Sequence, residues 1–494
     1  MASSKQQTYG IHIFRRDYRL TDNTSLIKLA GIVDYIIPIF IFTPTQIRHN
    51  TYKSNNCIQF LVESLVDLDA QIKKVTGGRS RLHIYYGDDL KIIKGLLDAG
   101  AGKITTISFN QDYTHYSQVR DSSIQQLADS AGVLLIQEHD ILLHPPGTIL
   151  TTGGKVYTKY TPFLNASLAK AISPVDTTRV TNFIMLDKAI GGNGVSTRAA
   201  WLRPTSTAPA EYNRDLSLMH DGIFNKHLPA KGGRAAGLKI LKAITSQHKW
   251  RDYNTGRDQL TYQTTHLSPY NKFGCMSIRE VYWAIKSGLG SSNELIHQLI
   301  WRDFFYNLSH VHRDIYTHGA MNPKWRKIRW ENNAAKWTAW KAGRTGFPIV
   351  DACMRELNTT GYMHNRGRLI TSNFLSRLLH VDWRWGEKYF AQVLYDYDPA
   401  QNSFGWQVSS AVSGTESRPI NQTIYNPWIQ SAKYDPDGTY IKRWIPELAG
   451  VKPADLHKWN VKHADYPGID YPAPIIDHDT EKARNLALYN AVSN

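Results

Sequence analysis

Ile36-Ile37-Pro38-Ile39-Phe40-Ile41-Phe42 is the longest apolar run in the chain. It falls far short of the ~18 to 20 apolar residues that a membrane span needs, and it reads as a buried strand. Working outward, β-rich segments at Tyr9–Phe14, Ile32–Phe42, Leu82–Tyr86, Ile104–Phe109 and Val133–Ile136 alternate with helical patterns at Asn55–Val75, Asp88–Ala99 and Tyr116–Ala131. Strands separated by helices predict a doubly wound parallel sheet, so residues 8–140 are expected to form an α/β domain. In such a sheet ligands bind beyond the carboxyl ends of the strands.

After this domain the texture changes. Residues 141–230 are rich in Pro, Gly, Ser and Thr, with turn signals at Pro145-Pro146-Gly147, Gly191-Gly192 and Pro204 to Pro209. Tyr157, Tyr160 and Phe163 need something to pack on, so the segment reads as a long connector between domains. Residues 231–475 are helical in pattern, with apolar spacings of three and four at Gly237–His248, Ile278–Lys286, Glu294–His310, Ile349–Leu357, Gly367–Leu379 and Glu387–Tyr395. Residues 476–494 read as a C-terminal tail. Every tryptophan except Trp201 follows residue 249, which places the aromatic chemistry in the helical half.

Composition narrows the function. The 494 residues carry 58 Lys and Arg against 42 Asp and Glu, a net charge of +16. That excess favours a polyanionic partner, of which nucleic acid is the usual one. Cys57, Cys275 and Cys353 are far apart and lack metal spacing, so neither a disulfide framework nor a zinc site is expected. The polar N-terminus has no apolar secretion segment. A reducing intracellular location follows, cytoplasm or nucleus being left open.

The chemistry-bearing strings lie in the helical half. They are Thr264-Thr265-His266-Leu267-Ser268-Pro269, Gln298 to Phe305, Thr345 to Ala352, Thr360 to Arg368, Asp382 to Phe390, Asp396 to Asn402 and Gly405-Trp406-Gln407. Together with Ile13 to Asn23 and Lys155 to Phe163, their order closely resembles the photolyase and cryptochrome family, most of all its cyclobutane pyrimidine dimer photolyases. The resemblance implies an all-helical domain that holds a folded FAD and repairs ultraviolet-damaged DNA under light. Excited reduced FAD passes an electron to a flipped dimer, the cyclobutane ring splits, and the electron returns. It also implies an antenna pigment (folate, deazaflavin or FMN) in the α/β domain or between the domains, near Phe109 to Asp121. A soluble monomer is expected.

Residue by residue, the resemblance assigns the FAD phosphates to Thr264, Thr265, Leu267 and Ser268, where hydroxyls and backbone N–H groups at a helix start suit a diphosphate. Tyr253 matches a tyrosine that touches the cofactor. Arg368 and Asp396 match a charged pair beside the flavin ring, Asp398 a carboxylate at its edge, and Asn402 the residue facing flavin N5. An amide there can hydrogen-bond reduced flavin without adding charge, which favours repair over signalling. Trp406, Trp383 and Trp330 match a tryptophan chain from flavin to surface. Trp301 matches the wall against which a flipped dimer stacks, with Asn365 and Gln298 completing the cleft. Lys324, Lys327 and Arg366, with Arg326 and Arg329 nearby, are assigned to the DNA backbone.

The cleft departs from the common pattern. Gln298 stands where most cyclobutane-dimer enzymes carry Glu, Val408 where many carry a second wall tryptophan, Leu369 where a Met is common, and Thr423 where an Arg is frequent. Two alternatives stay open: a cryptochrome-type blue-light receptor without repair activity, and a six-four photoproduct photolyase. The second needs a histidine pair for proton transfer, and those positions here are Asn365 and Leu369. It would require another histidine, such as His364 or His266, in the cleft.

Overall fold

The structure is a computed structural model. It describes residues 6–190, 216, 218–312, 319–415 and 418–492. Five parallel strands form one sheet in the order β3-β2-β1-β4-β5: β1 Tyr9–Ile13, β2 Tyr35–Phe42, β3 His83–Tyr86, β4 Ile104–Asn110 and β5 Leu134–Glu138. The expected doubly wound α/β architecture is present. In β2 every residue after Tyr35 is buried, as a parallel strand covered on both faces requires. Pro38 sits opposite His12 of β1, whereas pairing with β3 begins only at Ile39. The missing N–H therefore meets a neighbouring strand on one side only.

The helices begin where side chains can satisfy the orphan N–H groups of the first turn. Ser54, Asp88 and Thr114 cap the helices Asn55–Thr76, Asp89–Ala99 and His115–Ser130 around the sheet. In the helical half, Ser277 and Glu280 form a capping box at Ile278–Leu289.

The expected helix through Gly367–Leu379 is α-helical over Asn365–Asn373 and opens into a π-turn at Phe374–Leu378. The helix expected to reach Tyr395 runs from Trp383 and ends at Val393, which frees Tyr395 to Asp398 as a loop. Residues 476–494, read as a tail, instead contain a helix, His478–Asn490. It docks on the π-turn segment through buried Asn485 and Tyr489.

The connector is ordered where described. Tyr160–Leu168 is helical, and Asn182 and Ile184 bond back to Ile36 at the start of β2. Gly191-Gly192 and Pro204 to Pro209 lie outside the described residues. The two halves join through buried charge: Arg19 pairs with Asp140, which also accepts from Arg279 of the helical half. At Gly274 (φ +57°) a Cβ would come within 2.0 Å of the Arg16 carbonyl oxygen, so only glycine permits this approach.

Candidate functional site

Three segments converge in the helical half: the loop before Ser268, the helix Asn365–Asn373, and the loop from Tyr395 into the helix Pro399–Ser409. The Arg368 guanidinium donates to both oxygens of Asp396 (3.1 and 2.9 Å) and to the Met363 carbonyl. Ser268 donates its hydroxyl proton to Asp396 at 2.6 Å. That hydroxyl, expected on a phosphate, is thus engaged by a carboxylate. Thr264 meets the Tyr362 hydroxyl at 2.9 Å, and Thr265 accepts from the Leu267 N–H at 3.3 Å. Tyr253 and Leu267 are buried beside them.

Asn402 is oriented by a residue that motif reading passed over. Its amide nitrogen donates to the carbonyl and carboxylate oxygens of Glu387, at 3.0 and 2.9 Å. Burial pushes the Glu387 carboxyl up to about 7. With both bonds made through nitrogen, the Asn402 carbonyl oxygen is the end left to accept a proton donor, which fits an N–H of a reduced flavin.

Asp398 is held within a network of its own. Its carboxylate takes Arg16 at 2.7 Å and the Tyr306 hydroxyl at 2.6 Å, and it caps the helix Pro399–Ser409. Arg16 also reaches Asp112, so Asp398 ties the helical half to the sheet domain.

The aromatic wall is built from the connector inward. Tyr160 stacks on Trp301 with ring centroids 3.4 Å apart and planes at 8°, and its hydroxyl donates to the His297 carbonyl. Trp301 then meets Phe305, and Phe305 stacks on Phe404 at 5.4 Å, two residues after Asn402. Gln298 lies one turn before Trp301 on the helix Glu294–Val311. Asn365 is exposed at the start of its helix. His364 spends Nδ1 on the Arg366 N–H, and its Nε2 is buried without a partner. Burial, then Arg366 and Arg368, push it down to about 4. Burial likewise lowers His266.

Among the expected relay residues, Trp406 and Trp383 are buried and Trp330 is half-buried. Trp406 packs edge-on to Trp340 (6.1 Å) and Phe390 (4.9 Å). Among the described residues, Trp406 makes no ring contact with Trp383 or Trp330; Trp330 meets Tyr489 at 6.4 Å. Lys324 and Lys327 are exposed, whereas Arg366 is paired with Asp258 at 2.6 Å and lies over Tyr434.

At the carboxyl ends of β1, β2 and β4 opens a cavity of about 720 Å³. Arg15, Arg16, Phe42 and Tyr116 line it, and Lys272, Tyr397 and Pro399 contribute from the helical half. Among the described residues, no helix is long and apolar enough to cross a membrane.

Comparison with known proteins covers most of the chain. Residues 10–180 match the DNA photolyase family, and residues 295–491 match the FAD binding domain of DNA photolyase. The chain is 32% identical to the deoxyribodipyrimidine photo-lyase of Synechococcus sp., covering 96% of this chain and 95% of that one. The chain belongs to the DNA photolyase family. The deoxyribodipyrimidine photo-lyase of Vibrio cholerae is 31% identical over 96% of this chain and 98% of its own. An archaeal photolyase from Sulfolobus tokodaii, solved with two FAD molecules, superposes with a TM-score of 0.82 at 32% identity, covering 98% of this chain and 100% of that one. This photolyase-family chain thus carries an FAD-binding domain, and its last helix lies within that domain.

Proposed function

We propose that this photolyase-family protein repairs cyclobutane pyrimidine dimers in DNA under light. The observation that carries the reading is the continuous run Tyr160–Trp301–Phe305–Phe404, which joins the lesion wall to the helix bearing Asn402. A flipped dimer stacked on Trp301 would lie beside the cofactor site, in a setting walled by aromatic rings.

Ser268, Arg368, Asp396 and Asn402 would hold FAD, which when bound would supply the light-driven electron transfer that opens the cyclobutane ring. The protein's part is to hold and orient. Asp396 fixes Arg368, which would set positive charge beside the flavin ring, and Asn402, held by Glu387 through its nitrogen, would present its carbonyl oxygen to it. Thr264, Thr265, Leu267 and Tyr253 would complete the cradle, and with the Ser268 hydroxyl engaged by Asp396 the backbone N–H groups there would be left to hold the phosphates. Asp398 positions the helix Pro399–Ser409 from behind. Trp406, with Trp383 and Trp330 in the assigned chain, would restore the reduced state.

Asn365 and Gln298 would contact the lesion, and Lys324 and Lys327 the phosphates. Arg366 would join them only by leaving Asp258. The cavity beyond the strand ends suits the antenna pigment, whether folate, deazaflavin or FMN. The domain limits belong to the same reading: sheet domain 8–140, connector 141–230, and a helical domain from 231 that takes in the last helix.

The six-four alternative is disfavoured by His364, whose ring is held neutral with one nitrogen spent on a helix cap. The experiment is a repair assay on reduced protein in blue light and in darkness. A cyclobutane thymine dimer should disappear only in light, with a six-four lesion left intact. No repair of either by FAD-loaded protein would leave the sensor reading.

A further inference from the structure

Trp406 is the innermost ring of a second aromatic file. From it, Trp340 lies at 6.1 Å, Trp337 stacks on Trp340 at 5.4 Å and 18°, and Trp385 meets Trp337 at 5.6 Å. Trp406 and Trp340 are buried, Trp337 is half-buried and Trp385 is 39% exposed, so the file runs from core to surface. It ends in an open groove of about 420 Å³, lined by Tyr52, Trp337, Lys341, Trp385, Lys388 and Tyr389. That volume is in the range of small-molecule sites, ~300 to 1,000 Å³.

The charge in the groove is of one sign. Lys341 lies over the rings of Trp337 and Tyr389, and Lys388 over Tyr52. Neither lysine has a carboxylate partner among the described residues; the third cation, Arg384, is paired with Asp382. Aromatic faces beside unpaired ammonium groups recognise a flat ring that carries phosphate. The same groove reaches the residue that orients Asn402, since Tyr52 hydrogen-bonds Glu387, which holds Asn402.

We propose that this groove binds a reduced nicotinamide nucleotide, which refills the file Trp337–Trp340–Trp406 with electrons. The inference rests on the reading of Trp406 as the indole next to the cofactor. Once Trp406 has given up an electron, the vacancy moves outward by ring-to-ring hops to Trp337. One electron then passes from the dihydronicotinamide ring to the oxidised indole, and no bond to the protein forms. The donor releases one proton to water. Two such donor radicals and one proton yield one oxidised and one reduced nucleotide, so electrons and protons balance.

Binding is tested first, in darkness, by titrating the full-length protein with NADPH, NADP⁺ and a single-stranded oligonucleotide while following tryptophan fluorescence. Saturable quenching by NADPH, weakened at least about tenfold in Lys341→Gln/Lys388→Gln, is expected. The double variant should melt like the parent and repair dimers normally when reduced by dithionite, which separates this inference from the repair reading. No saturable NADPH binding, binding unchanged in the double variant, or binding of the oligonucleotide alone would overturn the proposal.

The second arm follows the indole radical after a flash. NADPH should shorten its lifetime in the parent and in Trp383→Phe but not in Trp337→Phe. The opposite pattern would overturn the file as the route.

Discussion

Gly386 lies directly beneath the indole of Trp406: a Cβ at Gly386 would stand 2.1 Å from Cη2 of that ring and 2.6 Å from Leu375 Cδ2. The residue is the fourth of the helix Trp383–Val393, and glycine inside a helix costs up to about 1 kcal/mol relative to alanine. The sequence accepts that cost because the ring needs the space.

Gly386→Ala is therefore expected to destabilise despite its better helix propensity. Trp406 is 2% exposed and walled by Phe390 and Trp340, so the ring has nowhere to move without strain. Overpacking of this kind costs ~1–3 kcal/mol, which exceeds the propensity gain. Melting temperature should fall, and light-driven reduction of the bound cofactor should slow. An unchanged melt would mean that the ring relaxes freely.

Asp398 should govern part of the acid stability. Although burial opposes its charge, Arg16, Arg302 and the Tyr306 hydroxyl bring its carboxyl down to about 2 from the ordinary 3.8. A depressed carboxylate contributes stability that is fully present above pH 3.8 and is lost as pH falls from there towards 2. The contribution is on the order of 2 kcal/mol. In Asp398→Asn, urea midpoints at pH 4 and above should drop, and the further loss between pH 4 and 2 should shrink. A variant whose acid limb parallels the parent's would show that Asp398 carries no such charge.

Much of the architecture was legible because it depends on patterns that local sequence records. The apolar run through Ile36–Phe42 and the strand and helix alternation around it specify a buried parallel sheet. The order of the motifs located Arg368, Asp396 and Asn402, which fall within hydrogen-bonding networks of one region. What the sequence could not reveal are partnerships across distance. Arg16 and Asp398 are 382 residues apart, and Asn402 depends on Glu387 through an amide orientation that no spacing encodes. Tyr160 was visible as an aromatic in want of a partner, but its stacking on Trp301 required the connector's path. Trp337 and Trp340 stand three residues apart on the helix Ala334–Ala342, but their file to Trp406 joins elements that no local spacing connects. The last helix was missed because its apolar stripe is thin and its hold comes from Asn485 and Tyr489.

Glu387 should make stability fall with rising pH. Buried at 2% exposure, its carboxyl is pushed up to about 7 from 4.5, with Asn402 and Tyr52 donating hydrogen bonds that only partly offset the burial. The folded state then holds a proton that the unfolded chain has released. Stability is full below about pH 4.5, declines between there and 7, and levels off above. The span corresponds to on the order of 3 kcal/mol. Glu387→Gln cannot ionise, so its unfolding free energy should be flatter than the parent's between pH 5 and 7.5. Equal slopes in the two proteins would refute the assignment.

Trp301 and Tyr160 should separate lesion recognition from general DNA affinity. The face of Trp301 towards Tyr160 is filled at 3.4 Å, so a flipped base can use only the other face. Stacking of a base on such a ring is worth ~1–3 kcal/mol. Trp301→Ala should weaken binding to dimer-containing DNA by about ten- to a hundredfold, while undamaged DNA, held through phosphate contacts, binds as before. Tyr160→Ala leaves the wall in place but removes its backing and the hydroxyl bond to the His297 carbonyl. It should cost a smaller part of the same discrimination and loosen the connector. Filter-binding or anisotropy titrations on paired damaged and undamaged oligonucleotides measure both quantities. Equal losses on the two DNAs would place Trp301 on the phosphate path instead of against the lesion, and the run from Tyr160 to Phe404 would then be packing alone.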